Sequence, residues 1–367
     1  MTLVYIVAGE ASGDILGARL IAALRAHHPE LRFAGIGGER MAEQGFESLF
    51  PIAELALMGL LEVIPSLRRL ARRLDETVED IRARKPDLLV TIDSPGFTLR
   101  VAERVRPLGV KVVHYVAPQV WAWRPGRVRK LARRVDRILA LLPFEAPFFE
   151  AAGIPVRFVG HPVLENEPGD AGRFRAPEGT RPLLVMPGSR RGEVSRHLAV
   201  FGEAVSLLPP DLQPVAALAG PVEEAVRSGT ASWPRTPLLV RDAQAKRDAM
   251  AGCVAGLIKS GTSSLECAVA GLPHVVAYRV NPITAAIVRR LIKVPYASLV
   301  NLLTEREVVP EFLQENCTAP KLAAAVERVL ADPAPQRAGF AEALAKLTPP
   351  EGRPSEAAAR AVLEVLG

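Results

Sequence analysis

Two α/β domains, each built on a doubly wound parallel sheet, are what the sequence predicts, and three observations carry that expectation. Short apolar, β-branched runs alternate with longer segments of helical period, the pattern of parallel strands covered by helices. After Gly160-His161-Pro162 a stretch rich in Pro, Gly, Glu and Asp, running to Arg181, breaks the alternation, which then restarts. At 367 residues, the chain is also long for one domain of about 150 residues. The expected organisation is an N-terminal domain over residues 1–165, a C-terminal domain over 166–345, and a last helix, 346–367, able to pack back on the first domain.

Strands are expected in the first half at 3–8, 33–36, 87–92, 110–115, 137–141 and 156–159, each a short apolar run. Two helices between them are clear. One covers 14–26, and the other covers 66–84, where Leu67, Leu70, Leu74, Val78 and Ile81 form a stripe at steps of three and four. In the second half the strands fall at 183–186, 215–218, 238–241, 254–258 and 274–278, with helices plainest after the first and fourth. The tail, 321–366, is helical and Ala-rich with Pro breaks. Ligand groups belong at the carboxyl ends of strands in such sheets, here facing a cleft between the domains.

Composition narrows the class. Hydrophobic residues at 49% and charged residues at 23% are globular values, which exclude disordered, collagen-like and coiled-coil chains. The net charge of +6 calls for an acidic partner. Residues 1–160 hold 23 basic and 18 acidic side chains against 23 and 22 in the remainder, so that partner is expected at the first half. Cys253, Cys267 and Cys317 are too scattered for a zinc site or a disulfide framework, which fits a reducing compartment. The start, MTLVYIVAGEASGD, has no basic segment before its apolar stretch, so no signal peptide is expected. The longest apolar stretch, 55–64, is interrupted by Glu62 and falls short of the ~18 residues of a spanning helix.

The first glycine turn reads Gly9-x-x-x-Gly13-x-x-x-Gly17, which fits neither the dinucleotide fingerprint nor a P-loop. In Gly9-Glu10-Ala11-Ser12-Gly13-Asp14, either Ser12 or Asp14 caps a helix or Glu10 faces the cleft from a strand end. A second strand ends in Asp93 before Ser94-Pro95-Gly96-Phe97, and a carboxylate there can act as general base or as an N-cap. The turn after the next strand, HYVAPQVWAWR, holds Trp121 and Trp123, two of three tryptophans, and residues 124–137 then carry seven basic side chains against Asp136. A solvated helix face is the ordinary account of such a run. No RNA-binding aromatic pattern or helix-turn-helix accompanies it, so nucleic acid is not the expected partner.

The second half offers two phosphate-type turns. Gly188-Ser189-Arg190 follows a strand and opens a helix, so free backbone N–H groups and the helix dipole face outward beside an arginine. Ser260-Gly261-Thr262-Ser263-Ser264-Leu265-Glu266 repeats the design. Its plain reading is a capping box of Ser263 and Glu266. Its functional reading gives the hydroxyls and amides to phosphate and the Glu266 carboxylate to ribose hydroxyls.

VAGEASGDILGA, IDSPGF, HYVAPQVWAWR, VGHPVLE, PGSRRGEV, SGTSSLE and SLVNLLTEREVVPEFLQ together, in order and along nearly the whole chain, resemble the lipid-A-disaccharide synthase family. The resemblance implies a GT-B glycosyltransferase with the acceptor in the N-terminal domain and the UDP-sugar in the C-terminal one. It implies transfer of 2,3-diacylglucosamine from UDP to 2,3-diacylglucosamine 1-phosphate, giving the β-1,6 disaccharide. Carried over by motif, Asp93 is the general base, Glu10 an important acid, Arg190 the donor-phosphate arginine and Asn301 a functional amide. The family usually has an acid and an amide where this chain has Gly96 and Thr98. That departure bears on the acceptor contacts.

The expected enzyme is inverting and uses neither metal nor cofactor, and no Asp-x-Asp occurs in the chain to suggest a divalent ion. Its expected site comprises Asp93 and Glu10 as catalytic groups, with Ser12, Gly13, Gly188, Ser189, Arg190, Ser260, Gly261, Thr262, Ser263, Glu266 and Asn301 binding substrate. The rivals are a transferase using UDP-N-acetylglucosamine and a polyprenyl-linked acceptor, a UDP-sugar epimerase, and a basic binding module. The apolar run 55–61 ahead of Arg68, Arg69, Arg72 and Arg73 suits peripheral attachment to the inner face of the cytoplasmic membrane, with packing against the sheet as its alternative. A homodimer stays open.

Overall fold

The computed structural model describes residues 2–55, 63–118, 128–218, 220–281, 285 and 294–367. The chain divides into two units: Met1–Glu165 with Leu347–Gly367, and Asn166–Lys346. In the first, β1 (Leu3–Ala8), β2 (Arg32–Ile36), β3 (Leu88–Ile92), β4 (Lys111–Tyr115), β5 (Arg137–Ala140) and β6 (Val156–Phe158) form one sheet in the order β2-β1-β3-β4-β5-β6. In the second, β7 (Arg181–Met186), β8 (Leu212–Ala217), β9 (Leu238–Val240), β10 (Ala255–Lys259), β11 (His274–Tyr278) and β12 (Glu311–Leu313) run β12-β11-β10-β7-β8-β9. Every pairing in both sheets is parallel.

The first unit's helices are α1 (Ala11–His27), α2 (Glu39–Ala42), α3 (Val63–Arg84), α4 (Pro95–Val105), α5 (Val128–Ala132) and α6 (Glu145–Glu150). The second has α7 (Arg191–Leu207), α8 (Glu223–Thr230), α9 (Ala243–Gly252), α10 (Ser263–Val269), α11 (Leu299–Thr304), α12 (Ala319–Ala331) and α13 (Ala334–Leu347). The last helix, α14 (Pro354–Leu366), belongs to the first unit. Its Ala358, Ala359, Ala361 and Val362 are buried in the same apolar cluster as Leu20, Ile21 and Leu24 of α1. Strands covered on both faces must be apolar at successive positions, and Val4 through Ala8 have no exposed surface. On the α3 stripe Leu74, Val78 and Ile81 are buried and Leu70 is half-buried, whereas the Leu67 side chain lies outside the described set.

The membrane-contact run 55–61 falls outside the described residues except for Leu55, which is buried in the core of the first unit and so is not an insertion residue. Of the four arginines that follow, Arg68 and Arg72 are exposed. Arg73 is spent within the protein, bonded to Glu54 and Glu76 with its guanidinium 4.5 Å from the centre of the Phe50 ring. Residues 119–127, with Trp121, Trp123 and Arg124, also lie outside the described set. From the basic run beyond them, Arg134 pairs with Glu103 at 2.7 Å and Arg137 with Glu364 at 2.6 Å.

Both sheets have one place where the strand order reverses direction. In the first it lies between β1 and β3, in the second between β7 and β10. The chain leaves neighbouring strands there toward opposite faces, which opens a crevice at their carboxyl ends. Glu10 follows β1 and Asp93 follows β3, while the Gly188 turn follows β7 and the Ser260 turn follows β10. These four turns therefore fall on the two switch points.

Candidate active site

In the first unit Ala8 of β1 pairs with Ile92 of β3, so the turns beyond them leave the sheet side by side. Their approach is close enough that a Cβ on Gly9 would collide with the Ser94 side chain, which requires glycine there. Glu10 is exposed and extended (φ −158°, ψ 173°) at the N-cap of α1, with no side-chain capping bond. Ser12 is exposed beside it, and Gly13 is buried against the Ile92 carbonyl. The expectation that Ser12 or Asp14 caps α1 is overturned, because the helix begins at Ala11. Asp14 lies inside it, and its carboxylate accepts the N–H groups of Gly38, Arg40 and Met41 at 2.7, 3.0 and 3.1 Å.

Asp93 is half-buried and held in the left-handed region (φ 51°), followed by Ser94 in the same region (φ 43°, ψ 54°). Two such non-glycine residues in succession cost about 1–3 kcal/mol each and need surrounding structure to hold them. The Asp93 N–H donates to the Tyr115 carbonyl at 2.9 Å, which ties the turn to β4. The Thr98 hydroxyl donates to the carbonyls of Asp93 at 2.6 Å and Ser94 at 3.1 Å. Ser94, not Asp93, occupies the N-cap of α4, and Asp93 Oδ1 accepts the Ser94 N–H at 2.7 Å. The cap reading of Asp93 therefore fails, and among the described residues its second oxygen has no partner. Thr98 is fully buried, so the residue that replaces the family's amide faces inward. Gly96 is exposed with no atom within 4 Å of where a Cβ would stand.

In the second unit Met186 of β7 pairs with Ile258 of β10, bringing the two phosphate-type turns together. Gly188 has φ 123°, a conformation costly for any other residue. Arg190 takes the N-cap position of the 17-residue α7, with 80% of its side chain exposed. Sequence reasoning missed two residues here. Glu193 accepts the Ser189 N–H on Oε2 at 3.2 Å and lies 3.1 Å from Lys259 Nζ through Oε1. Burial works against its charge, but Lys259, the Ser189 N–H and Arg190 together hold the carboxyl below the ordinary range. Lys259 ends β10 and also lies 5.2 Å from the centre of the Tyr278 ring. Glu193 lies within PGSRRGEV and Lys259 immediately before Ser260, but their partnership joins turns that follow two different strands.

At the other turn the plain alternative fails and one hydroxyl is directed inward. The capping box of Ser263 and Glu266 does not form, because Thr262 is the N-cap of α10 and makes no side-chain capping bond. Glu266 Oε2 instead accepts from Lys246 Nζ at 2.7 Å. The Ser260 hydroxyl donates to the Ala297 carbonyl at 2.8 Å rather than projecting outward, while Thr262 is exposed and Gly261 and Ser263 are half-buried. Asn301 is fully buried with its amide consumed by the protein: Nδ2 donates to the Val309 carbonyl and Glu311, and Oδ1 accepts from Val308 and Val309. It clamps the loop that Ser260 joins, and it does not present its amide to a ligand. Among the described residues no cluster of His, Cys, Asp or Glu could hold a metal ion.

The family model for lipid-A-disaccharide synthetase matches residues 4–349. Lipid-A-disaccharide synthase of Granulibacter bethesdensis is 51% identical, covering 100% of this chain and 99% of its own, and that of Gluconobacter oxydans is 51% identical over 99% and 91%. Among solved structures, UDP-GlcNAc 2-epimerase of Neisseria meningitidis bound to UDP-GlcNAc superposes with a TM-score of 0.67 at 13% identity, covering 100% of this chain and 99% of its own. MurG of Acinetobacter baumannii gives 0.59 at 14% over 99% and 100%. These likenesses in structure place the chain in the GT-B fold. The chain belongs to the lipid-A-disaccharide synthase family and is a glycosyltransferase of lipid A synthesis.

Proposed function

We propose that the enzyme transfers 2,3-diacylglucosamine from UDP to the 6-hydroxyl of 2,3-diacylglucosamine 1-phosphate in one inverting displacement. The observation that carries this reading is the division of chemistry between the two switch points. The first holds a carboxylate on a strained turn, and the second holds cations and helix N-termini suited to a diphosphate. Asp93 takes the proton of the acceptor hydroxyl as that oxygen attacks the anomeric carbon from the face opposite UDP. Glu10, on the adjoining turn, orients the acceptor. Negative charge builds on the departing diphosphate, where the Ser189 N–H, Arg190 and Lys259 stabilise it, a task that other enzymes give to a metal. Glu266, held by Lys246, accepts hydrogen bonds from the ribose hydroxyls.

Both substrates carry acyl chains and are met at a bilayer surface. No helix among the described residues is long and apolar enough to cross one. The exposed Arg68 and Arg72 support peripheral attachment to an anionic surface. The test incubates the enzyme with the UDP-linked diacyl sugar, with and without each lipid acceptor, and reads the lipid product by mass spectrometry. A disaccharide 1-phosphate formed with the diacylglucosamine 1-phosphate acceptor supports the reading. Product on a polyprenyl-linked acceptor, or UDP release with no acceptor present, overturns it.

A further inference from the structure

Glu193 stands on the first turn of α7 with 13% of its side chain exposed. Its Oε2 accepts the Ser189 N–H at 3.2 Å, and its Oε1 lies 3.1 Å from Lys259 Nζ and 3.5 Å from the Arg190 guanidinium. These are the two cations and the N–H donor that the proposed donor site gives to the diphosphate. The carboxylate reaches them because residue 188 has no side chain. A Cβ there would stand 2.7 Å from Oε2 and 2.8 Å from the Glu193 Cβ.

The backbone beneath Glu193 is pinned. His197, one turn on, lies 2.8 Å through Nδ1 from the Glu193 carbonyl, and its Nε2 accepts the Arg279 N–H at 2.9 Å. A nitrogen that accepts from a backbone N–H carries no proton in neutral imidazole, so the proton sits on Nδ1 and is donated to Glu193. Burial favours that neutral ring. The helix end is thus fixed, and a change of rotamer is the motion open to the carboxylate.

We propose that Glu193 is a displaceable internal anion of the donor site, which competes with the nucleotide's diphosphate for Lys259, the Ser189 N–H and Arg190, and so sets nucleotide affinity and the rate at which UDP leaves. The proposal rests on the donor-site reading above. Two anions cannot share these donors at hydrogen-bonding distance without strong repulsion. A diphosphate, with more charge and more acceptor oxygens, wins them on binding. After transfer the returning carboxylate compensates the same cations, so no partly buried charge is stranded as UDP departs.

Calorimetry with UDP and with uridine, on the wild type and on Glu193→Gln, tests this, together with stopped-flow measurement of UDP dissociation. Glu193→Gln should bind UDP about ten-fold more tightly, the order of one charge-assisted hydrogen bond, release it correspondingly more slowly, and bind uridine unchanged. UDP affinity that is equal or lower, with uridine unchanged, overturns the proposal and leaves Glu193 as a support for Lys259. If Glu193→Gln does not fold, Glu193→Asp gives the same decision, because its shorter carboxylate cannot reach Lys259 and Ser189 together. A folded wild type that binds neither UDP nor uridine removes the donor-site reading itself, and this proposal with it.

Discussion

The Thr98 hydroxyl donates to the Asp93 carbonyl at 2.6 Å, across the turn that holds Asp93 in a left-handed conformation. Thr98 is thereby a brace for the proposed base. Thr98→Val keeps the volume and removes the donor. It should cost about 1 kcal/mol of stability and lower kcat about ten-fold or more as the carboxylate shifts, whereas Thr98→Ser should keep most of both. Unchanged kcat in a destabilised Thr98→Val would confine the bond to stability.

Glu266 is tied to Lys246 at a half-exposed position, and the capping role once open to it is filled by no side chain. Glu266→Ala should therefore leave the melting temperature nearly unchanged, since such pairs are worth about 0–1 kcal/mol. UDP affinity should fall about ten-fold, the value of the charge-assisted hydrogen bonds lost to the ribose. Calorimetry showing wild-type affinity would detach Glu266 from the nucleotide.

Arg190 is largely exposed and only loosely paired with Glu193 at 3.5 Å, so removing it should not unfold the unit. Arg190→Ala should lower the transfer rate about 10²- to 10³-fold if the guanidinium meets charge on the leaving diphosphate. With no Asp-x-Asp in the chain, wild-type activity should survive EDTA. An enzyme silenced by EDTA and restored by Mg²⁺ would contradict this assignment of the charge to protein groups.

Three of the six histidines, His114, His161 and His274, are held neutral by burial, with pKa values pushed down to about 4 from 6.5. Above pH 6.5 they are neutral folded or unfolded and add no pH dependence. Between 6.5 and about 4 the unfolded chain binds protons that the folded one does not, so stability falls as pH falls, by up to about 1.4 kcal/mol per unit for each histidine. Melting temperatures should drop from pH 7 to pH 5, and His161→Gln should flatten part of that drop. A flat wild-type profile over this range would contradict the burial argument.

Much of this architecture was legible in the sequence because parallel strands buried on both faces must be apolar runs, and eleven of them were readable. β12 was not, since Glu-Phe-Leu after Pro310 is too short and mixed to carry a strand pattern. Asp93 and the Gly188 turn could be found locally, since each is a polar break at a strand end. The roles of Asp14, Glu193 and Asn301 could not, because their partners at Gly38, Lys259 and Glu311 lie on other strands or loops that only the folded chain brings near. Thr98 misled for a related reason: its position in the motif pointed to the acceptor, but its helical register turns it inward.

In the proposed mechanism Asp93 removes the acceptor's proton while the other switch point holds the donor. The most direct measurement is the transfer rate of Asp93→Asn beside its UDP affinity, since the change replaces one carboxylate oxygen with an NH2 group and keeps the turn. The rate should fall by about 10²- to 10⁴-fold with UDP affinity unchanged. A variant that retains most of the wild-type rate would contradict it and move the base elsewhere, with Glu10 the first to examine.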